Sequence, residues 1–396
     1  MNSGKIKKVQ QVVENFIAWL EKFGEISYDH QSFFAGKVGG GAKALYYRRP
    51  LIGTLAVAPI IFCEAFIPSA RRLFWKAQRL PIADAHYAMG FAFLSKGKED
   101  DFHRKSVHFL NALEESRCPD YPDYCWGYPF DWVTRNGTIT MNTPLITTTP
   151  YAYEAFLQVF HLDGQPKWRA ILESIVRHVL TDIKEFPISG TASTCSYTPF
   201  DTGGVVNAAA YRAFLLTSAA IELGHQKAQE SAERNLNFVL GAQQQNGSWL
   251  YAMDGSRDFV DHFHTCFVMK ALAKIEQLTG HNGCREALDR GVEYYLKNLF
   301  DENGLPKPFS RAPRITVYRH ELYDYAECIN LCLLLRNRRP EMNQVLERVI
   351  DDLFSRWMKP DGSFRSRELL SGWDNVPMHR WAQAQMFRAV CTLIHS

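Results

Sequence analysis

Five short segments of this sequence mix aromatic rings with carboxylates, imidazoles or a guanidinium group. They are Cys125–Trp132 (CWGYPFDW), Ser196–Gly204 (SYTPFDTGG), Asp258–His264 (DFVDHFH), Tyr318–Tyr323 (YRHELY) and Trp373–Trp381 (WDNVPMHRW). Flat rings can cover the C–H faces of a sugar, while a few placed polar groups bond its hydroxyls. Trp126, Tyr128, Trp132, Tyr197, Tyr251, Trp373 and Trp381 are candidate platforms, and His320, Glu321 and Arg380 are candidate polar contacts. Asp131 and Asp201 each follow Pro-Phe, and Asp261 precedes His262 and His264. Two or three carboxylates around one cavity suit hydrolysis or transfer at a glycosidic bond. Against this, an Asp just before a helix is often an N-cap, and Asp201 stands just before a helix expected from residue 205. A second chemistry pairs Tyr197 or Tyr251 with His and Arg380. The Tyr/His pair would move the proton next to a uronate carboxylate, and Arg380 would neutralise that carboxylate, as in an epimerase or lyase. A third reading is a non-catalytic glycan-binding assembly factor at a membrane. His262 and His264 are two residues apart with no third ligand nearby, so no metal is expected. No Gly-x-Ser-x-Gly elbow, P-loop or dinucleotide fingerprint occurs, so no cofactor is expected.

The elements that must position these segments repeat along the chain. Asn136-Gly137, Asn246-Gly247, Asn303-Gly304 and Asp361-Gly362 are spaced by 110, 57 and 58 residues, with Ser189-Gly190 near the middle of the long gap. A period of about 55–58 residues fits two helices and two connections. Segments 166–182, 226–242, 284–299 and 341–358 carry charge on one face and read as outer helices. Segments 205–223, 263–278, 321–336 and 380–395 are apolar nearly all round and read as enclosed inner helices. Residues 84–115 supply a further hairpin. The expected fold is all-α, an (α/α)6 toroid over residues 81–396. All five chemical segments precede an inner helix, so they should share one rim, where inner-helix N-termini favour an anionic group. Residues 243–249 (QQQNGSW) fit the Gln-x-x-x-Gly-x-Trp turn of terpene-cyclase toroids, with Trp357–Phe364 a weaker cousin, but the Asp-x-Asp-Asp acid of squalene-type cyclases is absent.

Taken together, CWGYPFDW, NTPLITTTPYAYEAFL, SYTPFD, QQNGSW, DFVDHFHTCFVMKAL, LFDENGLPK and HRWAQAQMF resemble bacterial polysaccharide-biosynthesis proteins of the six-hairpin glycosidase-like superfamily, some of which carry a mistaken aminolevulinate-dehydratase label. The resemblance covers about residues 80–396. It implies the (α/α)6 toroid and a place in capsule, exopolysaccharide or lipopolysaccharide assembly, with an oligo- or polysaccharide, anionic or lipid-linked, as partner. It carries over no catalytic residue, and it does not explain residues 1–80 or the acidic, aromatic run Tyr318–Glu327.

Residues 1–80 form a basic region of their own in this reading. They hold 12 Lys/Arg against 5 Asp/Glu, while the remainder holds 33 against 37. Leu51–Ile67 is the most apolar run, 17 residues with Pro59 and Glu64 inside, too short to span a bilayer. Flanked by Arg48, Arg49, Arg71, Arg72, Lys76 and Arg79, it reads either as a buried helix or as a helix lying in an anionic membrane face. No basic stripe continues beyond it, so nucleic acid is not an expected partner. Nine cysteines, an odd number with no CxxC, and no secretory h-region fit a cytoplasmic protein, peripheral at the inner face of the membrane.

Overall fold

The computed structural model describes residues 3–97, 100–314 and 316–394. Its helices are α1 (Ser3–Phe23), α2 (Ser32–Ala35), α3 (Lys37–Arg48), α4 (Pro50–Phe66), α5 (Pro81–Leu94), α6 (Asp101–Glu115), α7 (Thr149–Asp163), α8 (Pro166–Thr181), α9 (Val206–Glu222), α10 (Gln226–Gly241), α11 (His262–Thr279), α12 (Asn282–Asn298), α13 (Leu322–Leu335), α14 (Glu341–Asp352) and α15 (Ala384–Ile394). The expected outer and inner segments become α8, α10, α12, α14 and α9, α11, α13, α15. Enclosure explains the inner composition: α5 and α9 are buried on nearly every face, and α5 opens with Pro81, whose fixed φ suits a first helical turn.

Inner helices touch in the order α5, α7, α9, α11, α13, α15 and back to α5. Outer partners are α6, α8, α10, α12 and α14, and the partner of α15 is α1. Val9, Val12, Val13, Phe16, Trp19 and Leu20 of α1 join the core of the ring, and Phe16 stacks between Phe364 and Phe387 at 5.4 and 5.1 Å. The packing therefore has no break at residue 80. The first helix of the chain completes the sixth hairpin with the last, which closes the double ring.

The turns after the outer helices show the same closure. Gly247, Gly304 and Gly362 all have positive φ, where a side chain is strained. A Cβ at Gly247 would strike the Arg290 carbonyl on α12, and one at Gly362 would strike the Asn15 carbonyl on α1. Each turn thus leans on the next outer helix round the ring. Trp249 staples its turn by donating from Nε1 to the Val239 carbonyl at 3.0 Å. Gly362→Ala is expected to cost about 2–3 kcal/mol, from φ strain and loss of the α1 contact, read as a lower urea midpoint.

Outer-to-inner connections are long and gather at one end of the ring. Short antiparallel pairs brace them: Trp132–Thr134 with Gly137–Ile139, Glu185–Pro187 with Ser193–Cys195, and Val260–Asp261 with Phe309–Arg311. Tyr318–Glu321, Arg367–Leu369 and Gly372–Asp374 make a three-stranded sheet. The connection from α1 to α5, residues 24–80, carries α2, α3 and α4. Gly53 lets α4 lie directly on the backbone of Tyr46, so α3 and α4 form a tight hairpin. α3 rests on Trp132–Thr134, while Glu64 of α4 pairs with Arg367 at 2.9 Å. The hairpin therefore reaches across the mouth from one connection to another. All nine cysteines are free thiols. No helix among the described residues is long and apolar enough to cross a membrane.

Candidate functional site

Beneath the α3–α4 hairpin lies an aromatic floor drawn from several inner-helix starts. Trp381 stacks on Tyr323 (4.5 Å, 23°), meets Phe263 edge-on at 5.4 Å, and has His30 against it at 4.1 Å. Arg380 lies between the rings of Tyr128 and Trp381, at 4.6 and 5.1 Å. Its guanidinium donates twice to Asp29, at 3.0 and 2.6 Å, and once to the Tyr128 hydroxyl at 3.1 Å. Burial opposes charge on Asp29, yet the Arg380 guanidinium holds its carboxyl well below the usual range. Burial likewise pushes His30 down to about 3, so His30 is neutral.

Beside this floor stands a carboxylate–imidazole dyad. Asp261 caps α11 by accepting from the His264 amide at 3.0 Å, and its other oxygen accepts from His264 Nδ1 at 2.6 Å. Donation from Nδ1 leaves Nε2 as the basic nitrogen, and Nε2 makes no hydrogen bond among the described residues. Tyr251 stands edge-on to the imidazole at 4.7 Å and stacks on Phe259 at 4.6 Å. His264, Asp261, Tyr251, Phe259, Asn207 and Trp249 line a cleft of about 10 Å³, room for roughly one water.

Asp324, in the first turn of α13, is 1% exposed, and neither carboxyl oxygen has a hydrogen-bond partner. Burial, with the charges of Glu321, Asp261 and Glu327 added, raises its pKa well above the ordinary value. The site thus sets a carboxyl with raised proton affinity within electrostatic reach of Asp261, the carboxylate that orients the His264 imidazole. Opposed environments of this kind separate an acid from a base.

Deeper along the ring axis, each inner helix contributes a polar group. Lys270 pairs with Glu327, Lys274 pairs with Glu154, and Arg388 lies 3.8 Å from Glu154. The Tyr151 and Tyr211 hydroxyls bond each other. His86 is fully buried with both ring nitrogens unpartnered, and burial, with the charges of Arg388, Lys270 and Lys274, drives its pKa well down. No local motif marks Asp324, Asp29, His86 or Lys270, since only ring closure brings them together. The one sequence signal was the unusual acidity of Tyr318–Glu327.

Several residues expected at the site are used elsewhere. Asp131 is exposed and accepts from the Met141 amide at 2.9 Å, bracing its own hairpin. Asp201 accepts from the amides of Tyr197, Thr198 and Gly203 and from the Thr198 hydroxyl, so its loop consumes both oxygens. His262 faces α12: Nδ1 reaches the Leu299 carbonyl at 3.1 Å and Nε2 the Tyr295 hydroxyl at 2.7 Å, and burial lowers its pKa to about 3. Trp126 is fully buried, donating to the Leu113 carbonyl at 2.7 Å, and is core rather than platform. His320 is held by the Pro306 carbonyl at 2.9 Å, and Glu321 is bonded by Arg367. Trp373 lies between Arg365 and Arg356, against Trp357, and lines a groove with Tyr28, Pro68 and Arg72 rather than the His264 cleft. Tyr197 accepts from the Thr147 hydroxyl at 2.9 Å, and burial raises its pKa far above 10, which makes it a poor base. With Arg380 already paired to Asp29, the Tyr197/Arg380 arrangement for a uronate is not assembled. Tyr128, Trp132, Tyr251, Arg380 and Trp381 do gather near the mouth, with Trp132 edge-on to Tyr128 at 5.6 Å.

No family model matches the chain, and no curated protein matches it in sequence. Solved structures do match over most of its length. A cellobiose 2-epimerase from Bacillus thermoamylovorans aligns with a TM-score of 0.64 at 10% identity, covering 80% of this chain and 88% of that one. The chain has the six-hairpin (α/α)6 fold. A sugar epimerase from a ruminal bacterium shares this toroid at a TM-score of 0.60 and 12% identity, over 80% and 87% of the two chains. An inactive variant of an α-1,6-mannanase of Salegentibacter sp., in complex with α-1,6-mannotriose, shares it at 0.56 and 12%, over 79% and 89%.

Proposed function

We propose that this toroid is a sugar-processing enzyme that works by acid–base chemistry in its mouth, with His264 as base and Asp324 as acid. One observation carries the reading: a buried, unpartnered carboxyl with raised proton affinity lies within electrostatic reach of Asp261, the carboxylate that orients the His264 imidazole. The solved relatives act on saccharides, which supports the substrate class. For hydrolysis or transfer at a glycosidic bond, His264 Nε2 takes a proton from water or an acceptor hydroxyl. Asp324 then gives its proton to the leaving oxygen, and the Tyr323–Trp381 stack offers a face for a sugar ring. The substrate we assign is an oligo- or polysaccharide of bacterial surface-polysaccharide assembly, processed at the inner face of the cytoplasmic membrane. Because the cleft beside His264 admits about one water, a sugar enters only after the residues lining it move apart.

Epimerisation is the second reading, favoured by an imidazole rather than a carboxylate in the base position. His264 would then take a proton from the carbon next to a carbonyl, and Asp324 would return one to that carbon from the opposite face. Incubation with a saccharide panel in deuterated water separates the two. New reducing ends mark hydrolysis, and carbon-bound deuterium without cleavage marks epimerisation. His264→Gln is expected to lower whichever rate is seen by about 10²–10⁴-fold. An unchanged rate in that variant sinks both readings.

A further inference from the structure

We propose that the α3–α4 hairpin docks the protein onto an anionic lipid bilayer above the mouth, and that the saccharide taken below it is carried on a lipid. The second half rests on the acid–base reading above.

Leu51, Leu55, Phe62 and Phe66 of α4 are 88%, 76%, 56% and 55% exposed. Their spacing of four, seven and four residues sets them along one side of the helix. Ile52 on the same helix, and Val38, Ile67 and Leu73 elsewhere in the connection, are exposed as well. Contiguous exposed apolar surface on a folded chain marks an interaction site. Its rim is cationic: Lys37, Arg48, Arg49, Arg72 and Lys76 are exposed around it. The one acidic residue in residues 31–80 is Glu64, which is tied to Arg367 on the inner side.

That charge pattern selects the occupant. Two copies of this face would bring ten exposed cations together with no acid between them, so self-association through the stripe is opposed. An anionic bilayer offers hydrocarbon to the stripe and negative headgroups to the rim at the same depth. α4 has 17 residues, about 25 Å, with Pro59 inside, and fits lying in the interface rather than crossing it.

The connection that carries the hairpin is tied to the ring by three ion pairs. Glu64 pairs with Arg367, Arg71 with Asp374 and Asp29 with Arg380, all from the connection that carries α3 and α4. The hairpin is thereby held at the end of the ring where the outer-to-inner connections gather. A saccharide whose carrier stays in the bilayer would reach the ring at that same end.

Co-sedimentation of the full chain with vesicles of mixed phosphatidylglycerol and phosphatidylcholine tests the docking. Binding should require phosphatidylglycerol and weaken with salt. Leu55→Asp/Phe62→Asp should weaken it at least about 100-fold. Arg48→Ala/Arg49→Ala should weaken it about 25-fold, at roughly fivefold per cation. Both variants alter exposed positions, so their melting temperatures should match the parent. Absence of binding at low salt, parent-like binding by the Asp variant, or a stable dimer that the Asp variant dissociates each overturns the docking. For the substrate half, one saccharide is supplied free or on a long-chain alkyl anchor in the same vesicles. The anchored form should turn over at least about tenfold faster, and equal rates overturn that half. If neither form reacts while vesicle binding persists, the acid–base reading has failed and the docking stands.

Discussion

Asp324→Asn is expected to reduce saccharide turnover by about 10²–10⁴-fold without loss of the fold. Asn has the shape of a neutral carboxylic acid but no proton to give. Burial raises the proton affinity of this side chain, and Asn brings no charge of its own. Stability should move the other way. The folded carboxyl binds its proton well above the ordinary Asp pKa, whereas the unfolded chain releases it near pH 4. Between those two values the folded state holds more protons, so stability of the parent falls as pH rises. Asn removes this dependence, and the variant's advantage in melting temperature should grow from pH 4 to pH 8. A variant that keeps parent turnover, or whose advantage shrinks with rising pH, contradicts the assignment of Asp324 as a protonated acid.

Asp29→Ala should be the most destabilising single change in the mouth, by about 3–5 kcal/mol, because it strands Arg380 as a buried and unpaired cation. Both side chains are almost wholly buried, and the pair makes two hydrogen bonds. Replacing both ends, as Asp29→Ala/Arg380→Met, should recover most of the loss, so the two substitutions are strongly non-additive in urea melts. The pair's contribution follows Asp29, whose folded pKa is depressed. It is complete above the unfolded pKa near pH 4 and is lost as pH falls through the lower folded value. Asp29 also anchors residues 24–80, so in Asp29→Ala that connection should be cleaved faster by protease at pH 7.

The repeat was legible because its causes are local. Asn-Gly and Asp-Gly turns need positive φ, and one-sided against all-round apolarity separates outer from inner helices. That was enough to give the toroid and the shared rim of the five segments. Asp261 and His264 stood among the candidates that the sequence offered, and the structure shows Asp261 capping α11 while it holds the His264 imidazole. Local pattern could not separate Asp201 and His262 from them. Whether a polar side chain is spent on its own loop, as at Asp201, or on a neighbouring helix, as at His262, depends on three-dimensional surroundings.

By itself, then, the amino-acid order determined the helical period, the inner and outer faces, and the end of the ring where aromatic and polar residues collect. Ring closure decided the rest. It paired α1 with α15, although nearly the whole chain separates them, and turned residues 24–80 from an apparent appendage into the sixth connection over the mouth. It also brought Asp324 near Asp261 and Asp29 onto Arg380. The physical reason is that an acid's proton affinity and an ion pair's strength depend on burial and on distant partners. Neither is carried by the residues next to it in the chain.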